Sequence, residues 1–447
     1  MPFGIKNKNM TLKDLFEKIN GKDCVCGKDH RVAVKVYSGS GALLHLPEAM
    51  AKLGVEHAFI LSDKNTHAAA GERVCRLLSE NGLKYTGYVF DEEKLEPDER
   101  SVGAAFMNYD RACDVIIAVG SGVIGDISKI LSAVCGRPMI TVATAPSMDG
   151  YASATSSMTR AGVKVSLSSK CADVVIGDTD ILKEAPIEML KSGLGDMLAK
   201  YVSITEWRIS HLITGEYYCE TVADAVREAL RRCIDNRHGL LQRDNEAVEA
   251  VFEGLIITGI AMTYAGLSRP ASGVEHYLSH VWDMRSLEFD LPCSLHGLQC
   301  GVGTLISARI YDKVKETAPS KSKALAYVSS FDISKWNDTL RTFLGKAAEP
   351  MIELEKKEGK YSIAKHSARL DVIIENYGKI LDIINEELPS AKEIEEILDD
   401  IKAPKSLAQL GIDEDILPLT FKASKDIRDK YVLSRLCWDL GIIDEVI

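Results

Sequence analysis

Short, continuous apolar runs alternate with helical stretches in the first part of the chain. The runs at residues 57–63, 85–90, 114–119 and 139–143 predict strands, and residues 66–80 predict the first intervening helix. Continuous apolar runs, rather than alternation of apolar and polar residues, are typical of parallel strands covered on both faces. The repeated strand–helix units therefore predict a doubly wound α/β domain with a parallel sheet.

The pattern changes near Pro186, after which apolar residues recur at helical spacing almost to the C-terminus. Proline suits the first turn of a helix, and Ser390 followed by Glu393 forms a capping box before a later helix. Strand-like runs are rare in this second part. We therefore expect two domains, an α/β domain at residues 1–185 and an all-α domain at residues 186–447.

The composition is that of an ordinary soluble protein with an acidic balance. The 447 residues are 46% hydrophobic and 27% charged, and the formal net charge is −11. This charge argues against nucleic acid or an anionic membrane surface as the main partner. Residues 1–6 lack the apolar run of a signal peptide, and the eleven cysteines have no regular disulfide spacing. We therefore expect a cytoplasmic protein with reduced thiols.

One local group of metal-ligating residue types lies near the start of the chain. Cys24, Cys26 and His30 fall within seven residues of one another. A closed metal site needs a fourth ligand, which the sequence does not identify. The alternative is a turn that contains incidental thiols, and the sequence leaves both interpretations open.

A glycine-rich turn follows the apolar run at residues 114–119. Glycines directly after a strand allow a tight turn and a close approach to phosphate, and the following helix points its amides at the anion. The string matches G-x-G-x-x-G, although a purely structural turn remains an alternative. The candidate nucleotide residues are Gly120, Ser121, Gly122, Val123 and Ile124.

The position of this turn differs from that in an ordinary Rossmann domain. There the turn follows the first strand, and an acidic residue roughly 20 residues later binds the ribose. Here at least one strand–helix unit comes first, and the best acidic candidate for the ribose is Asp63, upstream of the turn. A carboxylate accepts hydrogen bonds from a ribose 2′-OH and repels a 2′-phosphate, so Asp63 favours NAD over NADP.

The strand at residues 139–143 is followed by a loop rich in small and hydroxyl-bearing residues. Loops at strand ends commonly hold ligands in open α/β sheets, whereas proline, serine, aspartate and glycine are also ordinary turn residues. Composition alone does not separate the two interpretations. The loop contains Thr144, Ala145, Pro146, Ser147, Asp149 and Ser153.

Three residues far apart in the sequence form a candidate metal site. Asp196, His276 and His296 supply one carboxylate and two imidazoles, a set suited to Zn²⁺, Ni²⁺ or Fe²⁺. Three protein ligands leave coordination positions open for a substrate oxygen. His280 lies one helical turn after His276, so the two imidazoles share a helix face.

These segments resemble the sn-glycerol-1-phosphate dehydrogenases, a branch of the superfamily of iron-type alcohol dehydrogenases, glycerol dehydrogenase and 3-dehydroquinate synthase. The resemblance covers roughly residues 55–310, and its most specific motifs are residues 144–150, residues 268–273 and Glu275-His276 with His280. Chain length and the long helical tail resemble the bacterial branch. The implied fold is dehydroquinate synthase-like: an α/β dinucleotide-binding domain with a parallel sheet, followed by an all-α metal-binding domain.

The resemblance also implies roles for individual residues. NAD is the expected cofactor, with NADP as the alternative, together with one divalent metal, Zn²⁺ or Ni²⁺, with Fe²⁺ also compatible. Asp196, His276 and His296 would bind the metal. Asp149 and His280 would be catalytic, and with Asp196 would face the substrate. The dinucleotide would contact Asp63, Gly120, Ser121, Gly122, Val123, Ile124, Thr144, Ala145, Pro146, Ser147 and Ser153.

Lys200 lies one turn after Asp196, where iron-type alcohol dehydrogenases commonly have a histidine ligand. An ammonium group cannot coordinate a metal, so the resemblance implies three protein ligands. Lys200, Arg269 and Lys164 are candidate cations for a substrate phosphate, and the sequence does not rank them.

The implied reaction is hydride transfer between a nicotinamide and dihydroxyacetone phosphate, which gives sn-glycerol 1-phosphate. The expected partner is thus a small phosphorylated triose, and a homodimer is the expected assembly. The alternatives are a glycerol or polyol dehydrogenase, a lyase similar to dehydroquinate synthase, and a non-catalytic metabolite sensor. The motif at residues 268–273 weighs against the first alternative, and the retained histidines weigh against the last.

Overall fold

The computed structural model describes residues 11–447, so the segment at residues 1–6, where no signal peptide is expected, lies outside the described residues. The described chain divides into two compact units. The sheet unit comprises residues 11–197 and 224–267, and the helical unit comprises residues 198–223 and 268–447. These units are defined by their compactness, whereas the boundary expected after residue 185 is based on a change in secondary-structure type. That boundary therefore stays a prediction.

A six-stranded parallel sheet forms the centre of the sheet unit, in the order β1-β8-β5-β4-β2-β3, and β6 pairs with β7 in a separate antiparallel hairpin. The predicted parallel sheet is confirmed, and the predicted strands at residues 57–63 and 139–143 have the observed bounds. The strands are β1 (Lys35–Gly39), β2 (His57–Asp63), β3 (Lys84–Phe90), β4 (Val115–Gly120), β5 (Met139–Ala143), β6 (Thr155–Arg160), β7 (Val163–Ser168) and β8 (Val174–Asp178).

Burial explains why the inner strands are continuous apolar runs. Every residue of β4, β5 and β8 is buried, whereas the edge strand β3 is mostly exposed or half-buried. Side chains on both faces of the inner strands pack against helices, and each fully buried Val, Leu or Ile contributes roughly 1.5–3 kcal/mol. The core includes Leu46, Ile60, Ile117, Val142 and Ile176.

The sheet order creates a crevice next to the glycine-rich turn. From β2 the chain passes outward to β3, and then crosses back to form β4 on the other side of β2. This is the 2-1-3-4-5 order of flavodoxin-like sheets when β2 is counted as the first strand. Ligands bind at the carboxyl ends of the two strands where the order reverses, here β2 and β4. The topology thus accounts for a nucleotide turn that does not follow the first strand.

One helix of the sheet unit is long and apolar enough to cross a membrane, but 83% of its apolar window is buried inside the protein. This helix, Asn245–Ala265, is therefore buried like a core helix of a globular protein. It packs against the segment that follows β5. The helices in or entering this unit are α1 (Leu12–Lys18), α2 (Leu46–Leu53), α3 (Lys64–Thr66), α4 (Glu72–Glu80), α5 (Glu99–Met107), α6 (Gly122–Cys135), α7 (Thr179–Leu182), α8 (Ile187–Thr214), α9 (Glu220–Asp235) and α10 (Asn245–Ala265).

The second half of the chain is helical, as the apolar spacing predicts. The first helix after Pro186 is the 28-residue α8, and the predicted capping box at Ser390 and Glu393 is present at the start of α18. The remaining helices are α11 (Val274–Phe289), α12 (His296–Lys315), α13 (Lys321–Ser329), α14 (Ile333–Leu344), α15 (Ala348–Glu358), α16 (Ile363–Glu375), α17 (Tyr377–Glu387), α18 (Ala391–Asp400), α19 (Leu417–Ser424) and α20 (Leu433–Asp439).

Candidate functional site

The glycine-rich turn connects β4 to α6 with no room for a side chain at its first position. A Cβ atom on Gly120 would lie 2.6 Å from the Cβ of Ile124, which is closer than packed side chains approach. Helix geometry leaves the amides of the first turn of α6 without intrahelical partners, and these amides point along the positive end of the helix dipole. The turn therefore has the form of an anion site at a helix N-terminus.

The loop after β5 is fixed beside this turn by hydrogen bonds to its backbone. The amide of Thr144 donates to the carbonyl of Gly120 at 3.3 Å. The Tyr151 hydroxyl donates to the carbonyl of Ala145 at 2.5 Å, and Ser192 of α8 donates to the carbonyl of Ser147 at 3.0 Å. Burial raises the pKa of Tyr151, so its hydroxyl remains a donor. The loop is held at the same sheet edge as Gly120.

Asp63 ends β2, directly beside β4, at the reversal of the strand order. Its carboxylate also has a structural role that the sequence interpretation did not include. Oδ1 accepts a hydrogen bond from the amide of Thr66 at 2.8 Å and caps α3. Because the hydrogen bond to Oδ1 fixes the orientation of the carboxylate, the position of Oδ2 is defined as well.

Ser153 and Lys129 organise the far end of the same loop. The amide of Thr155 donates to Ser153 Oγ at 3.1 Å, so Ser153 lies in the turn that leads into β6. Lys129 is buried in α6 and donates to the carbonyls of Gly150 and Thr155 at 2.5 and 3.1 Å. Lys129 thus ties the helix of the glycine-rich turn to the loop that carries Asp149.

In the helical unit, α11 positions His276 through an adjacent buried carboxylate. Oε1 of Glu275 lies 2.8 Å from His276 Nδ1 and also accepts the amide of Gly273 at 2.7 Å. Glu275 is fully buried, and His276 is 5% exposed. A carboxylate at Nδ1 sets the tautomer of the ring and orients Nε2 for coordination.

His296, the first residue of α12, is oriented by a hydrogen-bond chain. Ser279 Oγ lies 3.0 Å from His296 Nδ1 and donates to Gln299 Oε1 at 2.8 Å. Gln299 in turn donates to Asp283 at 3.0 Å. The rings of His276 and His296 are edge to face, with centroids 5.1 Å apart. Both histidines therefore carry the outer partners that metal-binding imidazoles have.

The predicted metal residues are brought together with one further donor. One ligand atom each from Asp196, His276, His296 and Cys300 lies within 4.8 Å of the others. Cys300 lies one turn after His296 on α12, with its sulfur 3.5 Å from His296 Nε2. The described cluster thus offers four donor atoms, of which the sequence interpretation named three.

The two histidines of the cluster influence the acidity of Cys300. Burial alone raises a thiol pKa, but His276 and His296 outweigh it through their charge and hydrogen bonds and lower the pKa of Cys300 below its ordinary value. The i, i+4 spacing from His296 is the sequence signal that could have identified it.

A hydrogen bond joins Asp149 to Asp196, the two aspartates that are expected to face the substrate. The backbone amide of Asp149 donates to Asp196 Oδ2 at 3.0 Å, and Asp196 is fully buried. His280 lies near the other histidines, since its ring is nearly parallel to that of His296 with centroids 6.1 Å apart. The residues expected to face substrate therefore lie next to predicted metal ligands.

The three candidate phosphate cations have different surroundings. Arg269 is 1% exposed, donates to both carboxylate oxygens of Glu216 and donates to the carbonyl of Tyr431 at 2.8 Å. Lys200 is fully buried and donates to the carbonyl of Ala271 at 3.1 Å, whereas Lys164 lies in the β6–β7 hairpin. Arg269 is thus committed to local structure.

The chain matches the family model described as iron-containing alcohol dehydrogenase at residues 37–186. It is 29% identical over 416 residues to the glycerol-1-phosphate dehydrogenase [NAD(P)+] of Halalkalibacterium halodurans, with 92% of this chain and 94% of that protein covered. It is 33% identical over 321 residues to the enzyme of the same name from Bacillus velezensis, with 70% of this chain and 81% of that protein covered.

A solved structure with the same fold is glycerol dehydrogenase from Schizosaccharomyces pombe. Its TM-score is 0.60 at 17% sequence identity, with 96% of this chain and 92% of that chain covered. At this identity the likeness concerns the fold alone. The parallel sheet followed by helices is therefore the architecture of a known dehydrogenase structure.

Proposed function

The chain belongs to the glycerol-1-phosphate dehydrogenase family, and from this premise we propose that it interconverts dihydroxyacetone phosphate and sn-glycerol 1-phosphate by hydride transfer. The enzyme is an NAD(P)-linked oxidoreductase that uses a nucleotide and a metal. The observation that carries the specific proposal is the donor cluster of Asp196, His276 and His296, with its oriented imidazoles.

The donor set fits a divalent transition metal. A carboxylate oxygen and two imidazole nitrogens suit Zn²⁺ or Ni²⁺, and the nearby sulfur of Cys300 favours thiophilic Zn²⁺. We therefore propose Zn²⁺ held by Asp196, His276 and His296, with Ni²⁺ as the main competitor. A metal there would polarise the C2 oxygen of the substrate and stabilise developing negative charge.

The protein groups around this cluster orient the substrate and move protons. Asp196 is held in place by the amide of Asp149, which also fixes the start of the short 3-10 helix Asp149–Ala152 that carries the Asp149 carboxylate. We propose that Asp149 binds a substrate hydroxyl and that His280 delivers or removes the proton at the C2 oxygen through an imidazole nitrogen. His280 is suited to this role because an imidazole can both donate and accept a proton.

We propose NAD as the preferred nucleotide. The nicotinamide supplies or accepts the hydride, and the protein binds and orients the dinucleotide. The first turn of α6 and the loop at Thr144–Ser147 would bind its pyrophosphate, and Asp63 would accept a hydrogen bond from the adenosine ribose. The proposal rests on the position of Asp63 beside the glycine-rich turn at the reversal of strand order.

Metal reconstitution tests the function directly. The purified protein is stripped with a chelator, and NADH oxidation with dihydroxyacetone phosphate is followed after separate addition of Zn²⁺, Ni²⁺ or Fe²⁺. We expect activity that depends on added metal, and chiral analysis should identify the product as the 1-phosphate. Absence of metal-dependent NADH oxidation with any phosphorylated triose would defeat the proposal.

The same assay distinguishes the proposed enzyme from a polyol dehydrogenase with the same fold. A polyol dehydrogenase would use dihydroxyacetone and glycerol with kcat/KM values comparable to those of the phosphorylated substrates. Replacing the cation that binds phosphate should raise KM for dihydroxyacetone phosphate far more than for dihydroxyacetone. Lys200→Met and Lys164→Met are the two variants to compare. We further propose that the protein is cytoplasmic, has no nucleic-acid or membrane partners and forms a homodimer. Light scattering of the purified protein measures the mass of the assembly and so checks the dimer.

A further inference from the structure

A second group of metal donors lies in the N-terminal segment that the proposed reaction does not use. The sulfurs of Cys24, Cys26 and Cys219 and a ring nitrogen of His30 all lie within 4.8 Å of one another. Cys219 is 189 residues or more from the other three in sequence, and is the fourth donor that the sequence did not identify. From this arrangement we propose a structural zinc site formed by Cys24, Cys26, His30 and Cys219.

The donor chemistry selects the metal. Three sulfurs and one imidazole nitrogen make a soft tetrahedral set, and four protein ligands close the coordination sphere, as in structural zinc sites. Zn–S bonds of about 2.3 Å and Zn–N bonds of about 2.1 Å place tetrahedral ligand atoms about 3.5–4 Å apart. The observed spacing requires only small side-chain adjustments. The cysteines are thiols rather than disulfide partners, so they are available as thiolate ligands.

The loop that carries three of the ligands has the local geometry of a metal-binding turn. Gly27 has φ +79°, a value that favours glycine, and its amide donates to the carbonyl of Cys24 at 2.9 Å. This tight turn brings Cys26 back toward His30, whose Nε2 lies 3.2 Å from the Cys26 sulfur. The turn thus presents sulfur and nitrogen donors from a stretch of only seven residues.

The loop is built into the protein although it contains no regular helix or strand between residues 20 and 34. Asn20 accepts hydrogen bonds from the amide of Val32 at 2.8 Å and from the Tyr264 hydroxyl at 3.0 Å. Lys28 donates to the carbonyl of Ala265 at 2.9 Å, and the His30 side chain is fully buried. These contacts hold the ligands in position before metal arrives.

The fourth ligand lies at the N-terminus of a helix. Cys219 immediately precedes the 16-residue helix α9, and its carbonyl accepts the amide of Ala223 at 3.0 Å. The positive end of a helix dipole stabilises a thiolate at this position. Cys219 is 1% exposed, so a thiolate there benefits strongly from a bound cation. A metal would cross-link two segments far apart in sequence and thereby stabilise the fold.

Metal analysis of the full-length protein tests this proposal independently of the enzymatic activity. Mass spectrometry of the metals bound to Cys24→Ser and to Cys24→Ser/Cys26→Ser should show about one zinc ion fewer per chain than in the unsubstituted protein. Cys75→Ser is the matched control, because Cys75 is a half-buried thiol outside the ligand clusters. Zinc content equal to that of the control would overturn the proposal.

Cobalt substitution separates this site from the proposed catalytic metal. In a His296→Ala/Cys300→Ser background, Co²⁺ bound to three thiolates should give an intense sulfur-to-cobalt charge-transfer absorption. That absorption should weaken when Cys24→Ser is added and should be lost when Cys24→Ser/Cys26→Ser is added. If the reaction proposal fails but this absorption is present, the structural zinc site still stands. If the absorption is missing from the background protein, the zinc site is refuted whatever the activity.

Thiol protection in the unsubstituted protein covers the case in which the variants do not fold. Alkylation followed by peptide mass spectrometry should label Cys24, Cys26 and Cys219 many times faster after a chelator removes the metal. Cys75 should be labelled at the same rate in both conditions. Equal labelling of the three cysteines with and without chelator, or a disulfide among them in freshly purified protein, would refute the site.

Discussion

The two regions proposed to take part in the reaction differ in the groups that would bind the ligand: backbone atoms in one and side chains in the other. At the glycine-rich turn, the proposed binding of the nucleotide relies on the backbone. Gly120 has no space for a Cβ, the amides at the start of α6 would face the anion, and hydrogen bonds to its carbonyls hold the adjacent loop. At the donor cluster, recognition relies on side chains oriented by other side chains, as Glu275 orients His276. We therefore expect the first region to be sensitive to added volume and the second to the loss of particular atoms.

Removal of a metal ligand should have the largest effect. We expect His296→Ala to lower kcat/KM about a thousandfold and to deplete the bound metal, because several kcal/mol of charge stabilisation are lost. Metal analysis and steady-state kinetics provide the measurements. His211→Ala is the control, since His211 is an exposed residue of α8 outside the cluster. Retention of both metal and activity in His296→Ala would contradict the assignment of this ligand.

Removal of an outer partner should have a smaller effect on the same region. We expect Glu275→Gln to weaken metal binding about 10–100-fold, because a neutral amide oxygen is a weaker acceptor for the His276 ring N–H than a carboxylate and makes the imidazole a poorer ligand. Competition with a chromogenic chelator measures the affinity. The glutamine oxygen can still accept the amide of Gly273, so the start of α11 should remain intact.

Glu206→Gln is the matched control for Glu275→Gln. Burial and repulsion by Glu275 raise the pKa of Glu206 above its ordinary value. It accepts the backbone amides of Val274 and Leu433 rather than a histidine. We expect little change in metal affinity for this control. Equally weakened metal binding in both variants would mean that the substitutions disrupt the local structure in general, rather than the orientation of His276.

The backbone character of the nucleotide region is tested by adding a single methyl group. Gly120→Ala should raise KM for NADH about tenfold, because relief of the clash with Ile124 displaces the turn at a cost of about 1–3 kcal/mol. Gly125→Ala adds the same group on α6, where a Cβ has no neighbour within 4 Å, and should bind NADH normally. Partial recovery in Gly120→Ala/Ile124→Gly, which removes the contacting Cβ of residue 124, would sharpen the steric explanation, and an equal KM in both single variants would contradict it.

The smallest expected change concerns the one charged side chain proposed for nucleotide recognition. Asp63→Asn keeps an oxygen that can cap Thr66 but removes the charge that repels a 2′-phosphate. We expect the ratio of kcat/KM for NADPH to that for NADH to rise about fivefold, since about 1 kcal/mol separates charged from neutral hydrogen bonds. A strong NADPH preference in the unsubstituted enzyme would overturn the role of Asp63.

Local patterns in the sequence were sufficient to predict several elements. The runs at residues 57–63 and 139–143 match β2 and β5, because inner parallel strands bury both faces and so contain continuous apolar residues. The hairpin β6–β7 was not predicted, since its strands are largely polar and exposed. The strands β1 and β8 were also not predicted, because β1 contains only Val36 and Tyr37 as apolar residues and β8 has only three consecutive apolar residues before Gly177 and Asp178.

The sequence by itself determined the residue types at each site: the glycines after a buried strand, the i, i+4 histidines and the cysteine-rich turn near the N-terminus. Only the tertiary structure decided which distant residues meet them. It placed Asp63 beside Gly120 through the reversal of strand order, and Cys219 beside Cys24 and Cys26. The physical reason is that periodicity, capping and turn chemistry act over a few residues, whereas these encounters depend on packing across the whole fold.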